Sequence, residues 1–136
     1  MTQLKEILQE LATELQATPP TLDANRVYQL LITQSILVEF HQLDPGVLIQ
    51  AKLGEPPKRK REDLFMILNS ANLLGKGTAG AVISLSPDEK YLTLSLALPY
   101  ELKLGTLKDN LEDFVNYFIY WQGEVERIKI ESERLI

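Results

Sequence analysis

Apolar residues recur at two different spacings along this chain, and the switches between them mark out its elements. Leu4, Ile7, Leu8, Leu11 and Leu15 follow the three-and-four spacing of an amphipathic helix, with Lys5, Gln9, Glu10 and Glu14 opposite. Thr2 is the expected N-cap. Pro19 and Pro20 are the expected stop, because proline lacks an amide hydrogen and turns the residue before it away from helical geometry. Thr21 to Asn25 reads as a polar connector. From Val27 to Phe40 both spacings fit in part: Val27, Leu30, Leu31 and Ile32 suit a helix, but the β-branched and aromatic content favours strands. The alternation of Ile36, Val38 and Phe40 against Glu39 and His41 points the same way, and two strands are predicted near 26–33 and 35–42. Asp44-Pro45-Gly46 is a turn signal, and a third strand follows from Val47 to Leu53.

The spacing returns to helical from about Arg61 to Leu74. Leu64, Ile67, Leu68, Ala71 and Leu74 define one stripe, while Phe65, Met66 and Leu73 lie off it. A helix apolar on more than one face is buried on two sides. The sheet of so small a chain covers one of them, so a second subunit is expected on the other, with Asn69 and Asn72 as polar points in that contact. The candidate interface is Leu64, Ile67, Leu68, Ala71 and Asn72. Ala81 to Leu85 and Tyr91 to Leu98 then form a hairpin around Ser86-Pro87-Asp88-Glu89-Lys90. Leu92, Leu94, Leu96 and Leu98 share its core face. The opposite face, Thr93, Ser95 and Ala97 with Tyr91, is small and mildly apolar, a surface able to accept another chain.

Thr106 is the expected N-cap of the last helix, with Asp109 at its third position. Leu107, Leu111, Phe114, Val115, Phe118, Gln122, Val125 and Ile128 are assigned to its buried face, flanked by Tyr117, Tyr120 and Trp121 as core and rim. Residues 124–136 are a charged tail, expected to fray.

Candidate chemistry is thin. Gly75-Lys76-Gly77-Thr78-Ala79-Gly80 matches a dinucleotide fingerprint in letters, but that motif must follow a strand and open a helix. Here a helix ends and a strand begins, so the glycines read as a helix C-cap and a loop with positive φ. The chain has one histidine and no cysteine, which rules out a His-His metal pair, disulfides and thiol nucleophiles. His41 beside Glu39 reads as a solvated or hydrogen-bonded strand residue. No catalytic, cofactor or metal set emerges.

A net charge of −5 disfavours binding to phosphate backbones. The one basic run, Lys58-Arg59-Lys60-Arg61, is followed at once by Glu62 and Asp63 and reads as a solvated loop. No run approaches the roughly 20 apolar residues of a membrane span, and the N-terminal stripe is interrupted by Glu6 and Glu10. A single soluble, intracellular domain over 1–136 is expected, of α+β class. Its order is helix, three strands, helix, two strands, helix: a twisted antiparallel sheet with helices packed on it, dimeric through the middle helix.

Ile67-Leu68-Asn69 with Ala71-Asn72-Leu73-Leu74, the glycine break, the strand ending Leu96-Ala97-Leu98-Pro99 and the closing Leu111-Glu112-Asp113-Phe114-Val115 with Trp121 together resemble the class I type III secretion chaperones, the Tir-chaperone fold. The resemblance implies a cytoplasmic bacterial protein without enzymatic activity. It implies a homodimer, or a heterodimer with a paralogous chaperone, formed through the middle helix. It also implies binding, without cofactor, to the N-terminal segment of one or more secreted effectors in extended form, keeping it soluble and secretion-competent. Strands of that client add to sheet edges, and its apolar side chains enter grooves of the first helix and the sheet. On this chain the effector-binding candidates are Leu4, Ile7, Leu8, Leu11, Thr93, Ser95 and Ala97. The alternatives are a regulatory adaptor on the same fold, binding a transcription or secretion-apparatus component, and a small ligand-binding domain.

Overall fold

The period-two stretches become strands with one face buried and one face open. A computed structural model of the chain describes residues 2–33, 35–58, 61–74 and 80–134. In order these form α1 (Thr2–Glu14), β1 (Thr21–Leu22), β2 (Tyr28–Ile32), β3 (Ile36–Gln42), β4 (Val47–Gly54), α2 (Arg61–Leu74), β5 (Val82–Leu85), β6 (Leu92–Leu98) and α3 (Leu104–Arg134). The strands lie in the order β1-β2-β3-β4-β6-β5 in one six-stranded sheet. The β1–β2, β2–β3, β3–β4 and β5–β6 pairs are antiparallel. This is the expected α+β architecture with one strand more. Thr21 and Leu22, read as connector, pair with Gln29 and Tyr28; two residues are too few for alternation to register.

By contacts the chain divides into two compact units, residues 1–51 with 96–112 and residues 52–95 with 113–136. In the first, Leu30, Ile32, Ile36, Val38, Phe40, Val47, Ile49 and Ala51 are buried. The register sets Leu30 opposite Val38 and Phe40 opposite Ile49, which puts them on one face. Each valine, leucine, isoleucine or phenylalanine among them contributes about 1.5–3 kcal/mol when fully buried. Leu4, Leu8, Leu11 and Ala12 of α1 are buried as well, and Lys5, Glu6, Gln9 and Glu10 face water.

The α1 helix stops before its prolines. The Ala17 amide donates to the Ala12 carbonyl at 2.9 Å and the Gln16 amide to the Thr13 carbonyl at 3.2 Å. Gln16 sits at φ 53°. This is a Schellman ending with glutamine in the left-handed position that glycine usually fills, and it ends the helix ahead of Pro19. The β3–β4 turn is closed by the Leu43 amide donating to the Gly46 carbonyl at 2.9 Å. Gly46 has φ +104°, and a Cβ there would lie 2.0 Å from the Leu98 carbonyl oxygen. Only glycine lets the turn lie against the exit of β6 in this way.

In the second unit Leu64 and Leu68 of α2 are buried with Ile83, Leu92 and Leu94 of the hairpin. Phe114, Phe118, Trp121 and Val125 are the buried positions of this part of α3. The buried face is therefore centred on Trp121. Gln122, assigned to that face by spacing, is exposed. The helix also begins earlier than Thr106: it starts at Leu104, and the Leu107 amide donates to the Lys103 carbonyl at 3.0 Å. Thr106 is thus inside the first turn, and its carbonyl accepts from the Asn110 side chain at 2.8 Å. Residues 75–79, which carry most of the glycine-rich break, and Arg59 and Lys60 of the basic run lie outside the described residues. Gly80 is described, with φ +87°.

Candidate functional site

At about 100° per residue, a helix laid on a sheet buries a narrow arc and leaves the rest outward. On α2 that arc runs through Leu64 and Leu68, with Phe65 half-buried beside them. Ile67 and Met66 fall outside it and are 45% and 68% exposed. The expected interface stripe is therefore split. Leu64 and Leu68 are already covered within the chain, so a partner has almost no area left to bury on them. Ile67 faces out with Met66, which spacing had set aside. The Ala71 side chain lies outside the described residues.

Asn72 has a different task from the one its position suggested. Its side-chain amide donates to the Ile83 carbonyl at 2.7 Å, and its side-chain oxygen accepts from the Ile83 amide at 2.9 Å. The Ser86 amide donates to the Tyr91 carbonyl at 2.8 Å. By the antiparallel alternation, Ile83 then turns its own amide and carbonyl away from β6, toward the outer edge of β5. Asn72 makes there the two bonds that a neighbouring strand would make. Its carboxamide is spent within the chain.

Of the α1 candidates, Leu4, Leu8 and Leu11 are buried core residues. Ile7 is half-buried. With Leu4 it lines a cavity of about 130 Å³ walled by the β3–β4 turn and by Glu101 and Leu102 ahead of α3. On β6, Thr93 and Ser95 are half-buried and Ala97 is exposed. The Thr93 hydroxyl lies 3.1 Å from that of Ser84, its cross-strand partner, so this pair of hydroxyls is mutually satisfied.

Two leucines to which the sequence reading gave no surface role form an exposed apolar pair. Leu31 and Leu37 face each other across β2 and β3 and are 40% and 49% exposed. They occupy the outward positions of the alternation that buries Leu30, Ile32, Ile36 and Val38. A leucine at both outward positions was the signal available. On the same face His41 Nε2 lies 3.7 Å from Glu39 Oε1. Among the described residues that histidine nitrogen is buried without a hydrogen-bond partner, while the His41 side chain as a whole is about a third exposed, so the expectation of a solvated strand residue holds only in part.

Charged groups are otherwise arranged locally. In the β5–β6 turn the Ser86 hydroxyl donates to Asp88 at 2.6 Å and accepts from the Tyr91 amide at 3.0 Å. The bond from Ser86, reinforced by the Lys90 amide, holds the Asp88 carboxyl below the usual carboxylate value. On α3 the Glu124 carboxylate, with Glu131, raises the Arg127 guanidinium above its ordinary value. Among the described residues no group of three or more His, Asp or Glu side chains is placed to hold a metal. Among them too, no helix is long and apolar enough to cross a membrane.

The fold matches two solved structures over nearly their whole length. The ExsC-ExsE complex contains a chain similar over 91% of this protein and 94% of its own length, with a TM-score of 0.73 at 17% identity. The HopA1-SchA chaperone-effector complex gives 88% and 93%, with a TM-score of 0.65 at 15% identity. A sequence comparison with curated proteins finds no significant match. The model of the Tir chaperone protein (CesT) family matches residues 6–122. That span runs from the first helix through the strands to Gln122 in α3, and the chain belongs to the Tir chaperone protein (CesT) family.

Proposed function

We propose that the protein is a type III secretion chaperone that binds the N-terminal segment of one or more secreted effectors and keeps it extended and soluble. The observation that carries this reading is the family match over residues 6–122, on a fold shared with a chain of a chaperone-effector complex. Residues 1–136 act as one chaperone domain, in the bacterial cytoplasm and without enzymatic activity. The work is done by binding alone. An unfolded client loses chain entropy when it is ordered, so useful affinity requires many modest apolar contacts spread over a large surface.

The chain offers such contacts as single residues and one pair. Ile7 stands at a small cavity, Leu31 and Leu37 form an exposed pair, and Val82 is exposed on β5. The dimer forms through the outward side of α2, where Met66 and Ile67 are exposed. The test is co-expression with the N-terminal segments of the source bacterium's effectors, followed by light scattering on purified complexes. The expected result is a mass of two chains without client and a stable complex with at least one segment. Failure of every segment to bind would sink the reading. An Ile67→Glu variant is expected to shift the free protein to monomer; an unchanged mass would remove α2 from the interface.

A further inference from the structure

The cavity beside α1 has a chemical bias that its apolar floor does not explain. Leu4 and Leu102 are buried, Ile7 is half-buried, and Pro45 closes the side formed by the β3–β4 turn. The charged side chains in the lining are Asp44 and Glu101, both exposed and both carboxylates. Neither forms an ion pair among the described residues. The turn that carries Asp44 is held in place by backbone, since Gly46 lies where any Cβ would strike the Leu98 carbonyl. The carboxylate of Asp44 is thus presented from a fixed loop. At about 130 Å³ the cavity is well below the several hundred Å³ of a small-molecule site. It suits one side chain.

Resting on the reading of the protein as a chaperone for extended clients, we propose that this cavity is a subsite for an apolar side chain followed two positions later by lysine or arginine. In an extended segment, residues i and i+2 point to the same side, about 7 Å apart. When the first side chain fills the floor, the second reaches the mouth, where Asp44 and Glu101 receive its charge. An acidic residue at that position is repelled. The subsite therefore selects among client segments of equal hydrophobicity.

The probes are three blocked tripeptides, acetyl-Ile-Ser-Lys-amide, acetyl-Ile-Ser-Glu-amide and acetyl-Ser-Ser-Lys-amide. They are titrated to millimolar concentration against the full chain, with the backbone amide shifts of Gly46 and Leu102 followed by NMR. The Ile-Ser-Lys peptide is expected to bind about three- to tenfold more tightly than Ile-Ser-Glu, with the gap closing in high salt. The Ser-Ser-Lys peptide is expected to leave both amides unmoved. An Asp44→Asn, Glu101→Gln double variant removes two exposed charges without changing shape, and is expected to equalise the two isoleucine peptides. Equal affinity of those peptides for the unaltered protein, or shifts absent from Gly46 and Leu102, would overturn the subsite. Effector segments that still bind in that case would leave the chaperone reading standing. Peptide binding without any effector complex would remove the chaperone reading and keep the subsite.

Discussion

Two turns on either side of the chain's middle helix are held in opposite ways. The β3–β4 turn is fixed by a missing side chain: Gly46 lets its backbone lie against Leu98 and Tyr100, with no room for one more carbon. The β5–β6 hairpin is fixed by added side chains: Asn72 bonds both backbone groups of Ile83, and Ser86 and Asp88 close the turn. The first device is steric and tolerates almost nothing. The second is made of hydrogen bonds, each with a modest net worth and each tunable.

The largest effect is expected at Gly46. Changing it to alanine places a carbon 2.0 Å from a carbonyl oxygen, at a φ that side chains rarely adopt. Backbone must move, and we expect a loss on the order of 3–5 kcal/mol in urea unfolding. A loss below about 1 kcal/mol would show that the turn can slide. Asn72→Ala comes next. It leaves the Ile83 amide and carbonyl without their partner, for an expected loss of about 1–3 kcal/mol. Asn72→Asp keeps the acceptor and loses the donor, so its loss in the same measurement should be the smaller if geometry rather than charge governs the contact.

A third substitution separates a glycine with a task from one without. Gly123 lies inside α3, with no positive φ and nothing within 4 Å of a Cβ built on it. Gly123→Ala should stabilise the chain by about 0.5–1 kcal/mol, read as a higher melting temperature. A destabilised variant would mean that another chain packs against that helix face. The smallest effect belongs to Asp88. Its carboxyl is held low by Ser86, so its contribution is full above the ordinary aspartate value and fades as pH falls through the lowered one. The difference in melting temperature between the unaltered chain and Asp88→Asn should therefore shrink on acidification. A constant difference would place the effect of the substitution in something other than ionisation.

The order of long elements was legible because period carries it. The alternation at Ile36 to Phe40 and the spacing from Arg61 to Leu74 led to β3 and α2 directly. Three kinds of feature were not legible. β1 is two residues long and forms through its partner strand, so no periodic signal exists for it. The facing of α2 could not be chosen by spacing, because Leu64, Phe65, Ile67 and Leu68 are all apolar and only packing decides which pair turns in. The cavity beside α1 joins residues from positions 4–7, 42–46 and 101–102, and sequence gives no measure of their distance in space. Leu31 and Leu37 are of another sort. Both stand as leucines on the polar phase of the alternation, a signal present in the sequence itself.

The carboxamide of Asn72 also bears on how many copies of this chain can join. A row of copies growing edge to edge needs two open ends per copy, one to receive and one to offer. In the four-residue β5, at one margin of the sheet, Ile83 is already bonded on its outward side. With Ile83 occupied, a further strand pairing with β5 would have to displace the Asn72 side chain, and edge-to-edge growth through this margin is disfavoured. One amide side chain thus discourages strand pairing at this margin and leaves any pairing of copies through α2 untouched.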